Sequence, residues 1–329
     1  MSFKDKKVLI TGGAGFIGSN LALRLADLGA RVTVVDSMLL EYGGNLFNLE
    51  PARDRIAVNF SDMRDRFSLS YLVRGQDFIF NMAGQVSHQD SMVDPLMDIE
   101  INVKAQMVLL EACRHHNPGA VIVYASTRQF YGHPQYLPVD EKHPINSPDV
   151  NGINKFAGEQ YHTLYAKVHG MKTVSLRLTN TYGPRQLIKN ARQGFIGWFM
   201  NRAVTGEPIQ LFGTGEQVRD FNHVDDVVDA FLTAAQTPDC FGGAYNLSGE
   251  HATLKSVAEK LIQLTGKGSM EIIPFPEERK KIDIGDFYGD SSLFRGKTGW
   301  QPRVPLDRGL EQSVAYYTTY LQHYLGDNR

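Results

Sequence analysis

The chain has 329 residues and a composition typical of a globular protein, with 42% hydrophobic and 21% charged residues. Its formal net charge of −2 gives no overall basic field for nucleic acid or anionic membranes, and no apolar run approaches the roughly 20 residues of a membrane span. Two cysteines, Cys113 and Cys240, are too few for a disulfide framework or a cysteine zinc site. We therefore expect no metal, no nucleic-acid partner and no membrane partner. Because the first seven residues contain no signal-like apolar segment, we also expect a cytoplasmic location.

The first element in the chain is an apolar strand at 8–10, which meets three glycines spaced three residues apart. Gly12 allows a tight turn, Gly15 lets backbone amides approach a pyrophosphate, and Gly18 lets the next helix pack closely on the strand. A helical pattern follows at 19–28, and its N-terminus offers free N–H groups to a phosphate. This order of strand, glycines and helix predicts a dinucleotide site.

The second strand, at 32–35, ends in Asp36. This acid follows the glycines at the spacing at which a carboxylate binds both ribose hydroxyls of a dinucleotide, and its charge would repel the 2′-phosphate of NADP. We therefore predict NAD as the cofactor. The alternative is a plain strand–turn–helix unit that binds no ligand.

Strand and helix patterns continue to alternate through roughly the first 180 residues. The predicted strands and helices are the strands at 56–59, 77–81, 120–124 and 172–177 and the helices at about 95–115 and 154–168. Repeated strand–helix units with short connections predict an α/β fold with a doubly wound, Rossmann-like parallel sheet.

From Thr179 onward the elements become shorter and are separated by Gly, Pro and Arg. We predict an NAD-binding domain of residues 1–178 plus about 222–245, and a smaller, discontinuous α/β substrate domain of residues 179–221 plus about 246–329. The junction of this second domain with the carboxyl edge of the sheet is expected to form the ligand crevice.

Several motifs give the chain a specific resemblance to a known family over nearly its full length. They are the segments 11–18, 62–65, 81–84, 126–127, 131–132, 180–185 and 219–226, together with Asp36. With these motifs the chain resembles the extended short-chain dehydrogenase/reductases, the family of NAD-dependent nucleotide-sugar epimerases and dehydratases. Within that family it is similar to the CDP-tyvelose epimerase-like enzymes in the segments 83–86, 98–103, 193–199 and 213–220.

The resemblance implies an epimerase, an isomerase that oxidises a sugar carbinol with NAD and then returns the hydride to the other face. Its substrate would be a nucleotide-diphosphate sugar. The residues that the resemblance implies for cofactor binding are Gly12, Gly15, Phe16, Ile17, Asp36, Ser37, Asp62, Met63, Met82, Ala83, Gly84 and Lys155.

The resemblance also implies a set of substrate residues, in which Asn180 and Arg219 would hold the diphosphate. The full set is Gln85, Ser87, Arg128, Asn180, Arg185, Gln193, Phe212, Arg219 and Arg279. For Arg128 and Arg279 the alternative is a solvated surface cation. Dehydratases of the family have an acidic pair after the threonine, and the sequence Thr127-Arg128-Gln129 lacks it, so 4,6-dehydration is disfavoured.

The chain departs from the family at the catalytic pair. The family places a tyrosine four residues before a lysine on one helix face, where the lysine lowers the pKa of the phenol that takes the substrate proton. Here Lys155 is present, but the position four residues earlier is Asn151, whose amide does not transfer protons near neutral pH. We nevertheless place the catalytic centre at Ser126, Thr127, Asn151 and Lys155.

Three explanations of Asn151 remain open. In the first, another group transfers the proton, and Thr127 is the nearest candidate. His88, Tyr131 and Lys155 itself are further candidates. In the second, oxidation is slow or absent while the nucleotide sugar still binds, and in the third the protein is a non-catalytic NAD sensor. We favour the first because the substrate-side motifs are intact, with a nucleotide-sugar oxidoreductase or decarboxylase as the alternative enzyme.

The predicted helices at about 95–115 and 154–168 both have broad apolar faces. In the family these two helices pair with their copies in a second subunit to form a four-helix bundle. The resemblance therefore implies a homodimer, and the alternative is that the apolar faces are buried within one subunit.

Overall fold

The computed structural model describes residues 2–326, and within that range the side chains of all residues except Glu278 and Arg279. Strands and helices alternate along the first half of the chain. The strands are β1 (Lys7–Thr11), β2 (Arg31–Val35), β3 (Ile56–Asn59), β4 (Phe78–Asn81), β5 (Val121–Thr127), β6 (Lys172–Leu178), β7 (Asn180–Tyr182), β8 (Pro208–Phe212), β9 (Val218–His223), β10 (Ala244–Asn246), β11 (Glu250–Thr253) and β12 (Ser269–Ile273).

Helices connect these strands and cover the sheets. They are α1 (Phe16–Asp27), α2 (Arg66–Leu72), α3 (His88–Val93), α4 (Pro95–Ile99), α5 (Ala105–His116), α6 (Val150–His169), α7 (Phe195–Thr205), α8 (Val224–Gln236), α9 (Leu254–Thr265), α10 (Glu277–Lys280), α11 (Ser292–Thr298), α12 (Leu306–Tyr320) and α13 (Gln322–Leu325). A π-helical segment, Glu100–Lys104, joins α4 to α5.

The central sheet of the described chain has seven strands in the order β10-β6-β5-β4-β1-β2-β3. Every neighbouring pair in it is parallel. From β1 the chain adds β2 and β3 on one side of the sheet, and then β4, β5 and β6 on the other side. The strand order therefore switches between β1 and β4, and doubly wound sheets bind ligands at the carboxyl ends of the strands at such a switch point. The predicted doubly wound α/β fold is confirmed.

Both faces of this sheet are buried at its centre, which explains why β1, β4 and β5 contain continuous apolar runs. Successive residues of β1 point to opposite faces: Val8 and Ile10 pack in one core with α1 and α8, and Leu9 packs in the other with α2, α5 and α6. A third core joins α7, α9 and α12 beside the small sheets β11-β9-β7 and β12-β8. The predicted domain boundaries stay a prediction, although Phe294 and Trp300, from the segment assigned to the second domain, pack in the core of the large sheet.

Helix α6 begins at Val150, four residues before the predicted start at 154. The cause is Asp149, whose Oδ1 accepts a hydrogen bond of 2.7 Å from the N–H of Gly152 and so caps the helix. The early start places Asn151 in the first helical turn, one turn before Lys155 on the same face.

Candidate active site

A cavity of about 310 Å³ opens where β1, β4 and β5 end, at the switch point of the sheet. Asn180 and Gln193, from the predicted substrate domain, contribute to its lining. The predicted site residues that line it are Gly12, Gly15, Phe16, Ile17, Asp36, Ser37, Asp62, Met63, Met82, Ala83, Gly84, Gln85, Ser126, Thr127, Arg128, Asn151, Lys155, Asn180 and Gln193.

The glycine turn after β1 passes directly against the end of β4. Gly12 has φ +65°, and a Cβ placed on it would lie 2.8 Å from the backbone N and Cα of Ala83. A Cβ on Gly18 would overlap the carbonyl oxygen of Gly12. Side chains at either position would prevent the close packing of this turn on β4 and α1. The tight turn fits a pyrophosphate at the N-terminus of α1, where free N–H groups face the ligand.

Asp36 is held at the end of β2 by two backbone donors. Its Oδ2 accepts from the N–H of Ala14 at 3.0 Å, and its Oδ1 accepts from the N–H of Met38 at 2.9 Å. Burial raises the pKa of Asp36, and these two hydrogen bonds oppose that rise. Each carboxylate oxygen keeps a further acceptor site, which fits the pair of hydroxyls of an adenosine ribose.

Asp62 and Met63 follow β3, the strand next to β2. The guanidinium of Arg64 donates to Asp62 at 2.7 and 3.0 Å, and this pairing holds the pKa of the Asp62 carboxyl below its usual value. Met63 is buried and presents an apolar surface to the cavity. An acid fixed beside an apolar side chain suits the edge and face of an adenine ring.

Lys155 projects from α6 toward the end of β5. Its Nζ donates to the carbonyl of Ala125 at 2.8 Å and lies 4.9 Å from the centre of the Tyr124 ring. Burial lowers the pKa of Lys155 to about 8, and the charge of Asp98 opposes that shift. The ammonium form therefore predominates at neutral pH, so the cavity has a buried cation next to the strand end.

The amide nitrogen of Asn151 is fully engaged with the protein. Its Nδ2 lies within hydrogen-bonding distance of the Gln85 carbonyl at 2.8 Å, of Gln85 Oε1 at 3.1 Å and of Asp98 Oδ2 at 3.1 Å. Asp98 also accepts from Asn102 and Asn154, at 3.0 and 2.8 Å. An amide nitrogen has two hydrogens, so Asn151 has no hydrogen left for a substrate hydroxyl. Its geometry is that of a residue that positions the Gln85 turn.

Ser126 and Thr127 end β5 with different surroundings. The Ser126 hydroxyl donates to Oε2 of the buried Glu159 at 2.6 Å, and Glu159 in turn pairs with Arg177. The hydroxyl oxygen of Thr127 accepts from the N–H of Gln129 at 3.1 Å. Thr127 thus still has a hydroxyl hydrogen to donate, whereas Ser126 uses its own within the protein.

Tyr131, a candidate for the missing base, lies outside the cavity lining. Its hydroxyl donates to Asn246 Oδ1 at 2.8 Å and also contacts the guanidinium of Arg177. Burial raises the pKa of Tyr131 well above its usual value. This corrects its place among the proton-transfer candidates, because a buried phenol with both partners inside the protein cannot reach a substrate.

Arg128 lines the cavity where β5 and β7 approach each other. Its Nη2 lies 3.4 Å from Asn180 Oδ1, and its guanidinium stacks 4.7 Å from the centre of the Phe287 ring. Its Nη1 is shielded from solvent and has no hydrogen-bond partner among the described residues. Burial and the nearby charge of Arg219 lower the pKa of Arg128 to about 10, so the side chain is still a cation at neutral pH.

Comparison with known proteins identifies the family to which this arrangement belongs. Residues 8–248 match the NAD dependent epimerase/dehydratase family. The chain belongs to that family. NAD is its cofactor, in agreement with the glycine turn and with the carboxylate of Asp36.

Individual relatives are similar over almost the whole length. The chain is 30% identical to the CDP-paratose 2-epimerase of Salmonella typhi over 332 residues, covering 93% of this chain and 97% of that protein. A crystal structure of UDP-glucose 4-epimerase from Thermotoga maritima with UDP-glucose is 30% identical, with a TM-score of 0.87, and the match covers 96% of this chain and 99% of that one. The UDP-glucose 4-epimerase of Thermus thermophilus in complex with NAD is also 30% identical, with a TM-score of 0.83 and coverage of 94% and 98%.

Two predicted substrate residues, Ser87 and Phe212, lie outside the cavity lining. Ser87 is buried, and its hydroxyl accepts from the N–H of Asp90 at 3.1 Å, which caps α3. Phe212, at the end of β8, packs against Phe275 with ring centres 5.4 Å apart. Neither lines the cavity, because each is committed to local structure.

Two predicted arginines also lie outside the cavity lining. Arg185 donates to Asn20 Oδ1 at 2.9 Å and stacks over Tyr316. Arg219 is buried; it donates to the carbonyl of Gly285 and lies 3.3 Å from Asp283. The side chain of the remaining predicted arginine, at position 279, lies outside the described residues.

Other cavity residues were not predicted from the sequence. They are Val35, Leu39, Tyr42, Gly44, Ser61, Arg64, Val86, Ile101, Ala105, Ala125, Gln129, Leu178, Thr179, Thr181, Gln186, Gly194 and Ile196, with His88 named only as a possible base. Gln129 could have been found, because it lies two residues after the ligand-facing end of β5. Tyr42 could not, because a tertiary contact places it: its carbonyl accepts from Gln193 Nε2 at 2.7 Å.

We expect Asp36→Asn to weaken NAD binding about tenfold or more, because a charged acceptor for two ribose hydroxyls becomes an amide with one acceptor oxygen. Its preference for NAD over NADP should shrink as the negative charge is removed. Calorimetric titration of each dinucleotide measures both effects. Asp27→Asn, in an exposed pair with Arg55, is the control and should bind NAD like the wild type. Unchanged NAD affinity in Asp36→Asn would remove this residue from the cofactor site.

Proposed function

We propose that the protein is an NAD-dependent nucleotide-sugar epimerase that oxidises a sugar carbinol and returns the hydride to the opposite face. The supporting observation is one continuous cavity that extends from the glycine turn to Arg128 and Asn180. A dinucleotide at the turn would leave the far part of this cavity for a second diphosphate, beside the buried guanidinium of Arg128.

Bound NAD supplies the hydride acceptor, and the protein supplies orientation and electrostatics. Lys155 places its ammonium beside the carboxyl end of β5, where it stabilises negative charge that develops on a substrate oxygen. Gly84 makes room for it, because a Cβ there would lie 3.1 Å from Lys155 Nζ. Thr127 is placed to donate its hydroxyl hydrogen to the reacting sugar.

The acids of the cavity favour epimerisation over dehydration. Among the described residues, the carboxylates that line the cavity are Asp36 and Asp62. They follow β2 and β3, whereas Thr127 ends β5 on the other side of β1 and β4. The cavity lining therefore offers no acidic pair beside Thr127 for removing water from a sugar.

Product analysis tests this function. The full-length protein with NAD is incubated with UDP-, dTDP-, CDP- and GDP-linked hexoses, and the sugars are identified by NMR. We expect one or more of them to be converted to an epimer of equal mass, with no net reduction of NAD. Release of CO₂ or accumulation of reduced cofactor would instead indicate a decarboxylase or oxidoreductase. NAD binding with no conversion of any sugar would indicate a non-catalytic NAD sensor. This second candidate function is favoured by Asn151, whose amide nitrogen donates within the protein and replaces the catalytic tyrosine.

We expect Arg128→Gln to weaken binding of the nucleotide sugar about tenfold to a hundredfold and to leave NAD affinity unchanged. The reason is the loss of a shielded cationic donor that lacks a protein partner, since hydrogen bonds to charged groups contribute about 1.5–3 kcal/mol. Fluorescence or calorimetric titration with a UDP-hexose, or with whichever nucleotide sugar is converted, gives the affinities.

The control for that change is Arg295→Gln, because Arg295 lies on α11 in an exposed contact with Ser292. It should bind both ligands like the wild type. Equal nucleotide-sugar affinity in Arg128→Gln and Arg295→Gln would place the diphosphate elsewhere.

We also propose a homodimer formed through α4, α5 and α6. Three exposed apolar side chains, Ile153, Leu164 and Val168, lie on one face of α6 at three-turn and one-turn spacings, and Leu96 on α4 is 73% exposed. Leu164→Glu should convert the dimer to a monomer in light scattering. Leu293→Glu, at a similarly exposed leucine on α11, should stay dimeric. A monomeric wild type would contradict the proposal.

For the compartment we propose the cytosol. Cys113 and Cys240 are free thiols, and both are buried. Unpaired cysteines suit a reducing compartment. Among residues 2–326, no helix combines the length and apolar character required to cross a bilayer.

A further inference from the structure

His88 is a titratable cavity residue that has no role in the site described so far. It is the first residue of α3 and lines the same cavity as Thr127, Asn151 and Lys155. Its side chain is 38% exposed, yet its Nδ1 is shielded from solvent and has no aligned hydrogen bond among the described residues. The accessible part of the ring is therefore the edge that includes Nε2.

Asp149 faces the shielded edge of this ring at ion-pair distance. Its Oδ2 lies 3.1 Å from His88 Nδ1, and the Asp149 side chain is completely buried. The carboxylate itself cannot turn away, because Oδ1 accepts from the Gly152 N–H at 2.7 Å and Oδ2 accepts from Gln129 Nε2 at 2.9 Å. Burial would raise the pKa of Asp149, but the contact with His88 and these donors keep it below its usual value, so the group is a carboxylate.

The backbone of His88 lies close to position 151, to which the family gives its tyrosine. The Ser91 hydroxyl donates to the His88 carbonyl at 2.7 Å and accepts from the backbone N–H of Asn151 at 3.2 Å. One side chain thus links the backbones of His88 and Asn151. The Asn151 amide nitrogen turns to Gln85 and Asp98 and so does not take up a proton.

A carboxylate 3.1 Å from Nδ1 favours the imidazole tautomer that has its hydrogen on Nδ1 and a free electron pair on Nε2, once the ring turns to align that N–H with Asp149 Oδ2. That tautomer is a general base aimed at the accessible side of the ring. We propose that His88, positioned by Asp149, exchanges the proton of the reacting sugar hydroxyl in place of the missing tyrosine. The inference rests on the proposed epimerase function.

The O–H bond of the carbinol breaks, and its proton binds Nε2. The C–H bond of the same carbon breaks, and its electron pair and hydrogen leave together as hydride to NAD. The carbon–oxygen double bond forms, and the imidazolium faces the carboxylate of Asp149. On the return step Nε2 gives the proton back as the hydride adds to the other face of the carbonyl. His88 is thus a catalytic residue, and Asp149 is a positioning residue.

The test uses the full-length protein with NAD and the nucleotide sugar that the wild type converts among the UDP-, dTDP-, CDP- and GDP-linked hexoses. We expect His88→Asn and His88→Gln to lower kcat about a hundredfold or more, with the dissociation constant of NAD within about twofold of the wild type. His115→Asn, at the exposed end of α5, should retain wild-type kcat.

A readout other than turnover tests the role of Asp149. In ¹⁵N NMR of the protein without substrate, the wild-type His88 should show hydrogen on Nδ1, and Asp149→Asn should change that tautomer. In kinetic assays, Asp149→Asn should lower kcat by a larger factor than it raises KM. A wild type that converts a sugar while both His88 variants stay within about threefold of its kcat would overturn the inference and leave the epimerase in place. A wild type that binds NAD but converts none of these sugars would overturn the proposed function and the inference together.

Discussion

Replacing Gly12 with alanine is expected to lower the free energy of unfolding by about 2–4 kcal/mol and to weaken NAD binding at least roughly tenfold. The new Cβ would lie 2.8 Å from the backbone of Ala83, and backbone cannot move aside as a flexible side chain can. An L-residue at φ +65° adds left-handed strain. Denaturant unfolding and calorimetric titration with NAD measure the two losses.

Gly170→Ala is the matched control. Gly170 directly follows α6 and caps its C-terminus with φ +66°. No neighbouring atom lies within 4 Å of the Cβ that alanine would add. This change should cost only the backbone strain of about 1–2 kcal/mol and leave NAD affinity unchanged. If both variants lost the same stability and bound NAD equally, close approach of the turn to β4 would not be the reason for glycine at position 12.

Arg177→Met is expected to lower the free energy of unfolding by about 3–5 kcal/mol, since it leaves Glu159 buried without its cation. Two nitrogens of Arg177 contact the Glu159 carboxylate, the shortest distance being 2.6 Å, and the Glu159 side chain is completely buried. Burial alone would lower the pKa of Arg177, but the hydrogen bonds and charge of Glu159 raise it above its usual value. The side chain of Ser126, which donates to the same carboxylate, should also change its position.

Arg55→Met provides the comparison for that change, because Arg55 pairs with Asp27 at 2.8 Å on the surface. It should cost less than about 1 kcal/mol. Both variants are measured by urea unfolding at the same pH. A loss in Arg177→Met no larger than that in Arg55→Met would mean that the buried carboxylate is reached by water or protonated.

The dinucleotide half of the site could be predicted from the sequence because local backbone geometry forms it. The glycine turn, the end of β2 and the end of β4 each depend on a few consecutive residues, and the parallel sheet brings strand ends to one edge. For the same reason Thr127 and Arg128, at the end of β5, were placed beside the cavity.

The substrate half was harder to predict, because its side chains have partners far along the chain. Arg185 bonds to Asn20 and Arg219 to Gly285, and nothing near either arginine in sequence indicates those contacts. The contact between His88 and Asp149 likewise joins α3 to the start of α6. The π-helical segment Glu100–Lys104 also interrupts a helix whose apolar spacing predicts an unbroken one.

The central claim is that a sugar carbinol is oxidised and the same hydride returns to it. It is tested most directly with a nucleotide sugar that carries deuterium on every ring carbon, converted by the protein with NAD in ordinary water and examined by mass spectrometry. We predict an epimer that keeps all of its deuterium, since the label leaves and returns as hydride within one cavity. An epimer that has exchanged deuterium for solvent hydrogen would show proton abstraction at carbon and contradict the account.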